Sequence, residues 1–66
     1  MEIIASYQSK DGQSISLEKH GGTYRIIRVV DGDEVLVNEF QLRNNALTYL
    51  AGYLAGTGEY EAFKPI

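Results

Sequence analysis

Hydrophobic and polar residues alternate along the first forty positions, as they do in β-strands that bury one face. Glycine-containing segments interrupt the alternation at Lys10–Gly12, His20–Gly22 and Asp31–Asp33. Glycine adopts positive φ at little cost, so these segments suit tight hairpin turns, with Gly21-Gly22 and Asp31-Gly32 at two of the turn centres. The pattern therefore predicts a four-stranded antiparallel meander with strands near residues 2–8, 14–19, 23–30 and 35–40.

The pattern changes after Phe40, where apolar residues recur every three or four positions. This spacing forms one stripe of an α-helix and predicts a helix over residues 43–55. Gly56 and Gly58 are candidates for its C-terminal cap, and Gly52 inside the helix suggests close approach to the sheet or to another chain. We therefore predict a single α+β domain over residues 1–66, with four strands followed by one helix packed on one sheet face.

Hairpin parity predicts which side chains share a face of this sheet, because neighbouring residues of a strand point to opposite sides. The better core face carries Ile15, Leu17, Tyr24, Ile26, Arg28, Val30, Val35 and Val37. The opposite face carries Ser14, Ser16, Glu18, Arg25, Ile27, Val29, Leu36, Asn38 and Phe40. On this second face Glu18 and Arg25 lie opposite each other, and we expect them to form a cross-strand ion pair.

One short helix covers one face of a four-stranded sheet and leaves the other face uncovered. The second face would then expose an apolar patch of the kind that binds a partner protein or a second copy of the chain. The patch residues are Ile27, Val29, Leu36 and Phe40. The C-terminal arm of residues 59–66 is expected to dock as a short strand or as an ordered arm. In the alternative to partner binding, Phe63 and Ile66 fold back over the patch and nothing binds there.

Composition narrows the chemistry that this domain can perform. The chain has 66 residues, of which 44% are hydrophobic and 23% charged, with no cysteine, one histidine and a net charge of −3. Disulfide scaffolds and cysteine-based zinc sites are excluded, and most histidine-dependent catalysis lacks a needed partner. We therefore expect no enzyme activity, no cofactor and no metal. Without a signal-like or membrane-spanning apolar run, the expected location is the cytoplasm, away from membranes.

Two local features are candidates for interaction chemistry. His20 lies beside a predicted turn, and we expect it to be solvated. Three carboxylates gather in the next turn, at Asp31, Asp33 and Glu34, but their spacing does not match a calcium-binding EF-hand loop. This turn is therefore either a solvated acidic loop or a site that attracts a positively charged partner.

Tyr49 and Tyr53 lie one helical turn apart, beside the apolar stripe of the predicted helix. Tyrosine is enriched at protein interfaces because its ring is apolar and its hydroxyl is polar. The two rings either lie flat along the sheet and enlarge a thin core or contact a partner.

The succession of Ser14–Leu17, Tyr24–Val30 and Val35–Phe40 before one helix resembles the PUR-like and PC4-like single-stranded nucleic-acid binders. That resemblance implies a nucleic acid bound on the sheet through Arg25 and Phe40, and a homodimer. The short acidic chain, with its Asp31–Glu34 turn, is also similar to small phage-encoded inhibitors of the anti-CRISPR type. That resemblance implies carboxylates that occupy a target's phosphate-binding site, with Tyr and Leu side chains as anchors.

The function predicted first is a non-enzymatic protein-interaction module, of the kind encoded by phages or mobile elements to mask a basic nucleic-acid-binding surface of a target protein. The alternatives are a single-stranded nucleic-acid-binding protein and a structural homodimer subunit. The predicted partner-binding residues are Arg25, Ile27, Val29, Leu36, Phe40, Asp31, Asp33, Glu34, Tyr49 and Tyr53.

Overall fold

The computed structural model describes residues 1–8, 12–57 and 64–65 of the chain. The elements are β1 (Glu2–Gln8), β2 (Ser14–His20), β3 (Thr23–Val30), β4 (Asp33–Phe40), α1 (Arg43–Thr57) and β5 (Lys64–Pro65). The first four strands form an antiparallel meander, and α1 packs against its strands β2, β3 and β4. The predicted α+β class, the four-strand meander and the single C-terminal helix are confirmed.

The C-terminal residues add a short strand at one edge of the sheet. Strand β5 pairs antiparallel with the end of β1, which gives the strand order β4-β3-β2-β1-β5. The expectation of a short strand in the tail is confirmed for residues 64–65. The alternative in which Phe63 and Ile66 cover the sheet lies outside the described residues.

The hairpin turns have the backbone conformation that their sequences favour. Asp31 and Gly32 both adopt positive φ, at +54° and +84°, as a type I′ turn requires. In the preceding turn Gly21 has a φ of +62°, whereas Gly22 does not adopt positive φ, contrary to expectation. The right-handed twist of the flanking strands matches these mirror-image turns, so the turn chemistry helps to fix the strand register.

The core lies between the sheet and α1. Ile15, Leu17 and Ile26 are fully buried, and they pack with Ala46 and Leu50 from the helix. All three sheet residues belong to the face predicted as the core. Burying each of these large side chains contributes about 1.5 to 3 kcal/mol, which is a large share of the stability of such a small domain.

Arg28 also lies on the core face, where its half-buried guanidinium is held by polar groups. One terminal nitrogen donates to Gln13 Oε1 at 2.9 Å, and the other donates to Tyr53 Oη at 3.4 Å. These hydrogen bonds use both terminal nitrogens of the guanidinium, which lowers the cost of placing its charge beside the helix.

The sheet contains two β-bulges, which a strict alternation of side chains along each strand does not predict. The register shifts between Ile3 and Ala5 in β1, and opposite Ile26 and Ile27 in β4, so that Ile4 and Val37 are extra residues. Both extra side chains pack against the core. A bulge also reverses the facing of every residue that follows it, which changes the composition of the two faces at the end of β4.

The exposed residues in the second half of α1 are small: Ala51, Gly52, Ala55 and Gly56. Gly52 is exposed, and a Cβ atom placed on it would meet no atom within 4 Å. The expectation that Gly52 marks a close approach to the sheet is therefore wrong. Gly56 lies inside the helix without positive φ, so it is not the left-handed cap, and Gly58 lies outside the described residues. No described helix has the length and hydropathy needed to cross a membrane.

Candidate protein-interaction surface

The face of the sheet opposite α1 is built from rows of four residues, one from each strand of the meander. We call it the open face, because the helix packs on the other side. The register gives the three rows Ile3–Glu18–Arg25–Glu39, Ser6–Ser16–Ile27–Leu36 and Gln8–Ser14–Val29–Glu34. In the middle row, the two residues on β1 and β2 are serines, whereas the two residues on β3 and β4 are apolar.

The apolar part of the open face lies on β3 and β4. Leu36 is 52% exposed, and its neighbours Ile27 and Val29 are half-buried. Ile3 is 56% exposed but lies on β1, three strands away from Leu36. The predicted patch is therefore present as three residues, Ile27, Val29 and Leu36, of which Leu36 projects furthest into solvent.

Phe40 was predicted on this patch and instead lies on the helix side. It pairs with Tyr24 across the strands and packs against the core cluster. The cause is the bulge at Val37, which shifts the parity of the last three residues of β4. The face assignment of Asn38 is wrong for the same reason, since Asn38 pairs with the buried Ile26.

The helix tyrosines join Phe40 in an aromatic row on the helix side. The ring centroids of Phe40 and Tyr49 are 5.3 Å apart, and those of Tyr49 and Tyr53 are 6.2 Å apart. Tyr53 packs against the core, while Tyr49 is 37% exposed. The three aromatic residues are thus brought together with one another and separated from the open face. A role for them in partner contact stays a prediction.

Arg25 lies opposite Glu18 as the register predicts, but its ion pair is made elsewhere. Its Nε donates to Glu39 Oε2 at 3.0 Å, and both side chains are nearly half exposed. The bulge at Val37 again explains the difference, because it places Glu39 on the open face directly opposite Arg25. The predicted Glu18–Arg25 ion pair is therefore wrong in its partner.

Glu18 instead pairs with His20, which the sequence analysis expected to be solvated. The distance from His20 Nε2 to Glu18 Oε1 is 2.8 Å, and the Glu18 side chain is only 15% exposed. Ser16 Oγ donates to the other carboxylate oxygen at 3.5 Å. The Glu18 carboxylate thus lies between the Ser16 hydroxyl and the His20 imidazole. A nucleophilic serine activated by histidine would instead need its hydroxyl in direct contact with the imidazole. The i, i+2 spacing along one strand face was the signal that could have found this pair.

The acidic turn, with Asp31, Asp33 and Glu34, lies at the end of the open face where β3 is joined to β4. Asp31, Asp33 and Glu34 are exposed, and none of them has an ion-pair partner among the described residues. Three like charges close together in one hairpin repel each other and produce a negative potential that extends into solvent. Across residues 1–8, 12–57 and 64–65, no cluster of three or more acidic, histidine or cysteine residues has a metal-binding arrangement.

Over the part of the chain that the structure describes, the site combines the sheet face opposite the helix, one projecting leucine and an acidic turn without an ion-pair partner. Comparisons of this chain with protein-family models, with curated proteins and with solved structures found no match.

Proposed function

We propose that this chain is a non-enzymatic protein-interaction module that masks a basic, nucleic-acid-binding surface of a partner protein. The module acts in the cytoplasm as an inhibitor of the kind that phages and mobile elements encode. Its contact surface is the β3 and β4 half of the open face together with the acidic turn.

One observation carries the proposal: the acidic turn continues directly into the apolar half of the open face. Glu34 and Leu36 are two residues apart on β4, so their side chains project from the same face. Opposite them on β3 lie Val29 and Ile27. A partner that meets the carboxylates of the turn therefore also meets the apolar surface.

Charge and apolar contact have different roles in such an interface. The negative potential of the turn speeds encounter with a positively charged surface, and this effect weakens as salt increases. Leu36 and Ile27 then determine the lifetime of the complex, because apolar burial is little affected by salt screening. We expect association rates that depend on ionic strength and dissociation rates that depend on Leu36.

The test begins with identification of the partner by photo-cross-linking in cells that express the chain. The purified partner is then titrated by calorimetry with the wild-type chain, with Leu36→Ser and with the triple variant Asp31→Asn, Asp33→Asn, Glu34→Gln. We expect at least about tenfold weaker binding for each, since one well-placed anchor or charge cluster contributes about 1.4 kcal/mol or more. If the chain masks the partner's nucleic-acid-binding surface, it should displace the partner's own nucleic acid in a competition experiment.

Two matched variants serve as controls. Glu2→Gln removes one exposed carboxylate at the opposite end of the sheet, and Thr48→Ser alters the exposed side of α1. Both should bind as the wild type does. Unchanged affinity of the Leu36→Ser and triple variants would refute the proposal. Binding of labelled single-stranded DNA by the chain itself, at low salt and lost at high salt, would favour the nucleic-acid-binding alternative instead.

A further inference from the structure

Strand β4 forms a free edge of the sheet. Within residues 1–8, 12–57 and 64–65, it stands first in the strand order and pairs only with β3. The backbone of an edge strand presents unpaired N–H and C=O groups to which another strand can add. Strand β4 has eight residues, and only those that direct backbone groups away from β3 can pair with an added strand.

The hairpin register determines which backbone groups of β4 face outward. In a two-residue hairpin the flanking residues, here Val30 and Asp33, exchange hydrogen bonds, and the pairs that follow alternate. Glu34 and Leu36 therefore direct their N–H and C=O groups away from β3. After the bulge at Val37, Glu39 occupies the next outward-facing position.

The outward N–H of Glu39 is already occupied within the chain. It donates to the side-chain Oδ1 of the preceding Asn38 at 2.8 Å. Apart from the ladder hydrogen bonds within the sheet, no described residue provides a similar partner for the backbone of Glu34 or Leu36. The free part of the edge is thereby limited to the segment Glu34–Leu36.

The side chains of this segment suit an added strand. Leu36 on the open face and Val35 on the helix side are each about half exposed, at 52% and 51%. A strand beside β4 would contact both of them, one on each face. The carboxylate of Glu34 and those of the adjacent turn would lie beside the same added strand.

We propose that the Glu34–Leu36 edge binds an extended, lysine- or arginine-rich segment of a partner protein as an additional β-strand. Main-chain hydrogen bonds to Glu34 and Leu36 supply the pairing, and the three carboxylates of Asp31, Asp33 and Glu34 select a basic sequence. A second copy of this chain fits less well, because β4 carries Asp33, Glu34 and Glu39 and no basic residue, so a second β4 would offer the carboxylates no opposite charge. The inference rests on the proposed function and specifies the form of its partner.

The test uses chemical synthesis, which the length of the chain permits. The probe is a capped heptapeptide, Lys-Val-Arg-Val-Lys-Val-Arg, titrated at low ionic strength into the wild-type chain and into a chain with an N-methylated Leu36 amide. The methyl group removes the outward donor and blocks the edge while leaving the side chain intact. Since that N–H makes no hydrogen bond within the sheet, the modified chain should keep the wild-type circular dichroism spectrum and melting temperature.

The matched control peptide, Lys-Pro-Arg-Pro-Lys-Pro-Arg, has the same charge but has few N–H donors and cannot pair as a regular strand. We expect at least about tenfold weaker binding both for this peptide and for the N-methylated chain, as the loss of one or two interfacial hydrogen bonds implies. Amide exchange should slow at Glu34 and Leu36 on binding and stay unchanged at Glu39. In Asn38→Ala, the Glu39 amide should also become protected.

Four outcomes would overturn the inference. Equal binding of the two peptides, or no effect of N-methylation, would mean that charge alone attracts the segment, and the proposed masking function would remain. Failure of the first peptide to bind would exclude the edge as a receptor for basic strands. Slowed exchange at Glu34 and Leu36 without peptide, with a doubled mass by light scattering, would identify a second copy as the occupant.

Discussion

Ile26 and Ile27 are adjacent on β3, yet they lie in different environments. Ile26 is fully buried under α1, whereas Ile27 lies half-buried on the open face beside the exposed Leu36. The side chains are identical, so the difference comes from what covers each face of the sheet. The comparison teaches that the buried core lies on the helix side, whereas the described residues leave the apolar side chains of the open face partly exposed.

Ile26→Ala and Ile27→Ala are a matched pair of substitutions, and the first should lower the free energy of unfolding much more than the second. We expect Ile26→Ala to lower the free energy of unfolding by about 3 kcal/mol, because it leaves a cavity in a close-packed core. Ile27→Ala should cost about 1 kcal/mol, since half of the side chain already meets solvent. Urea denaturation followed by circular dichroism measures both. Equal losses would mean that the open face is also covered.

Phe40 and Leu36 give a second comparison, which depends on the bulge at Val37. Phe40→Ala should lower the free energy of unfolding by about 2 kcal/mol, through loss of packing on Tyr49 and the core. Leu36→Ala should change it by less than about 1 kcal/mol. The measurement is thermal unfolding at matched protein concentrations. The reverse order would place Phe40 on the open face and refute the bulged register.

A substitution at Gly52 tests the outer side of the helix. Gly52→Ala should raise the free energy of unfolding by up to about 1 kcal/mol, since alanine favours a helix and its Cβ would meet open space. Gly22→Ala, at an exposed turn without positive φ, serves as a comparison in which no helix propensity is gained. A loss of stability in Gly52→Ala at high protein concentration, but not at low, would indicate a helix-mediated dimer.

The smallest effect is expected at the ion pair on the open face. Arg25→Gln and Glu39→Gln should each change the free energy of unfolding by less than about 0.5 kcal/mol, because both partners are exposed and screened by salt. A double-mutant cycle at low and high ionic strength isolates the pair. A coupling well above that value, insensitive to salt, would show that the pair is buried against another molecule.

The elements of the fold could be predicted because their signals are local. The turns at Gly21 and at Asp31-Gly32 and the change of period after Phe40 fix the strands and the helix without reference to distant residues. The core residues Ile15, Leu17 and Ile26 follow from hairpin parity alone.

The bulge in β4 could not be found by parity, because Val35, Leu36 and Val37 are three consecutive apolar residues and show no alternation there. The cost of burying a carboxylate does indicate the bulge. Unbroken parity would turn the carboxylate of Glu39 toward the core and expose Phe40, and burying an unpaired carboxylate is costly. The extra residue Val37 turns Glu39 to the open face and Phe40 to the helix side. The predictions for Phe40 and for the Glu18–Arg25 ion pair were both wrong because they assumed a strand without this bulge.

The most direct test of the account is the accessibility of the open face, measured by thiol alkylation. The chain contains no cysteine, so Leu36→Cys and Ala46→Cys each introduce one reactive group, the first on the open face and the second under the helix. With the neutral reagent iodoacetamide, we predict that the Leu36→Cys thiol reacts at least about tenfold faster than the Ala46→Cys thiol at every protein concentration. The bound partner should slow the first reaction only. A Leu36→Cys thiol that reacts as slowly as the core thiol in the isolated chain would contradict the account.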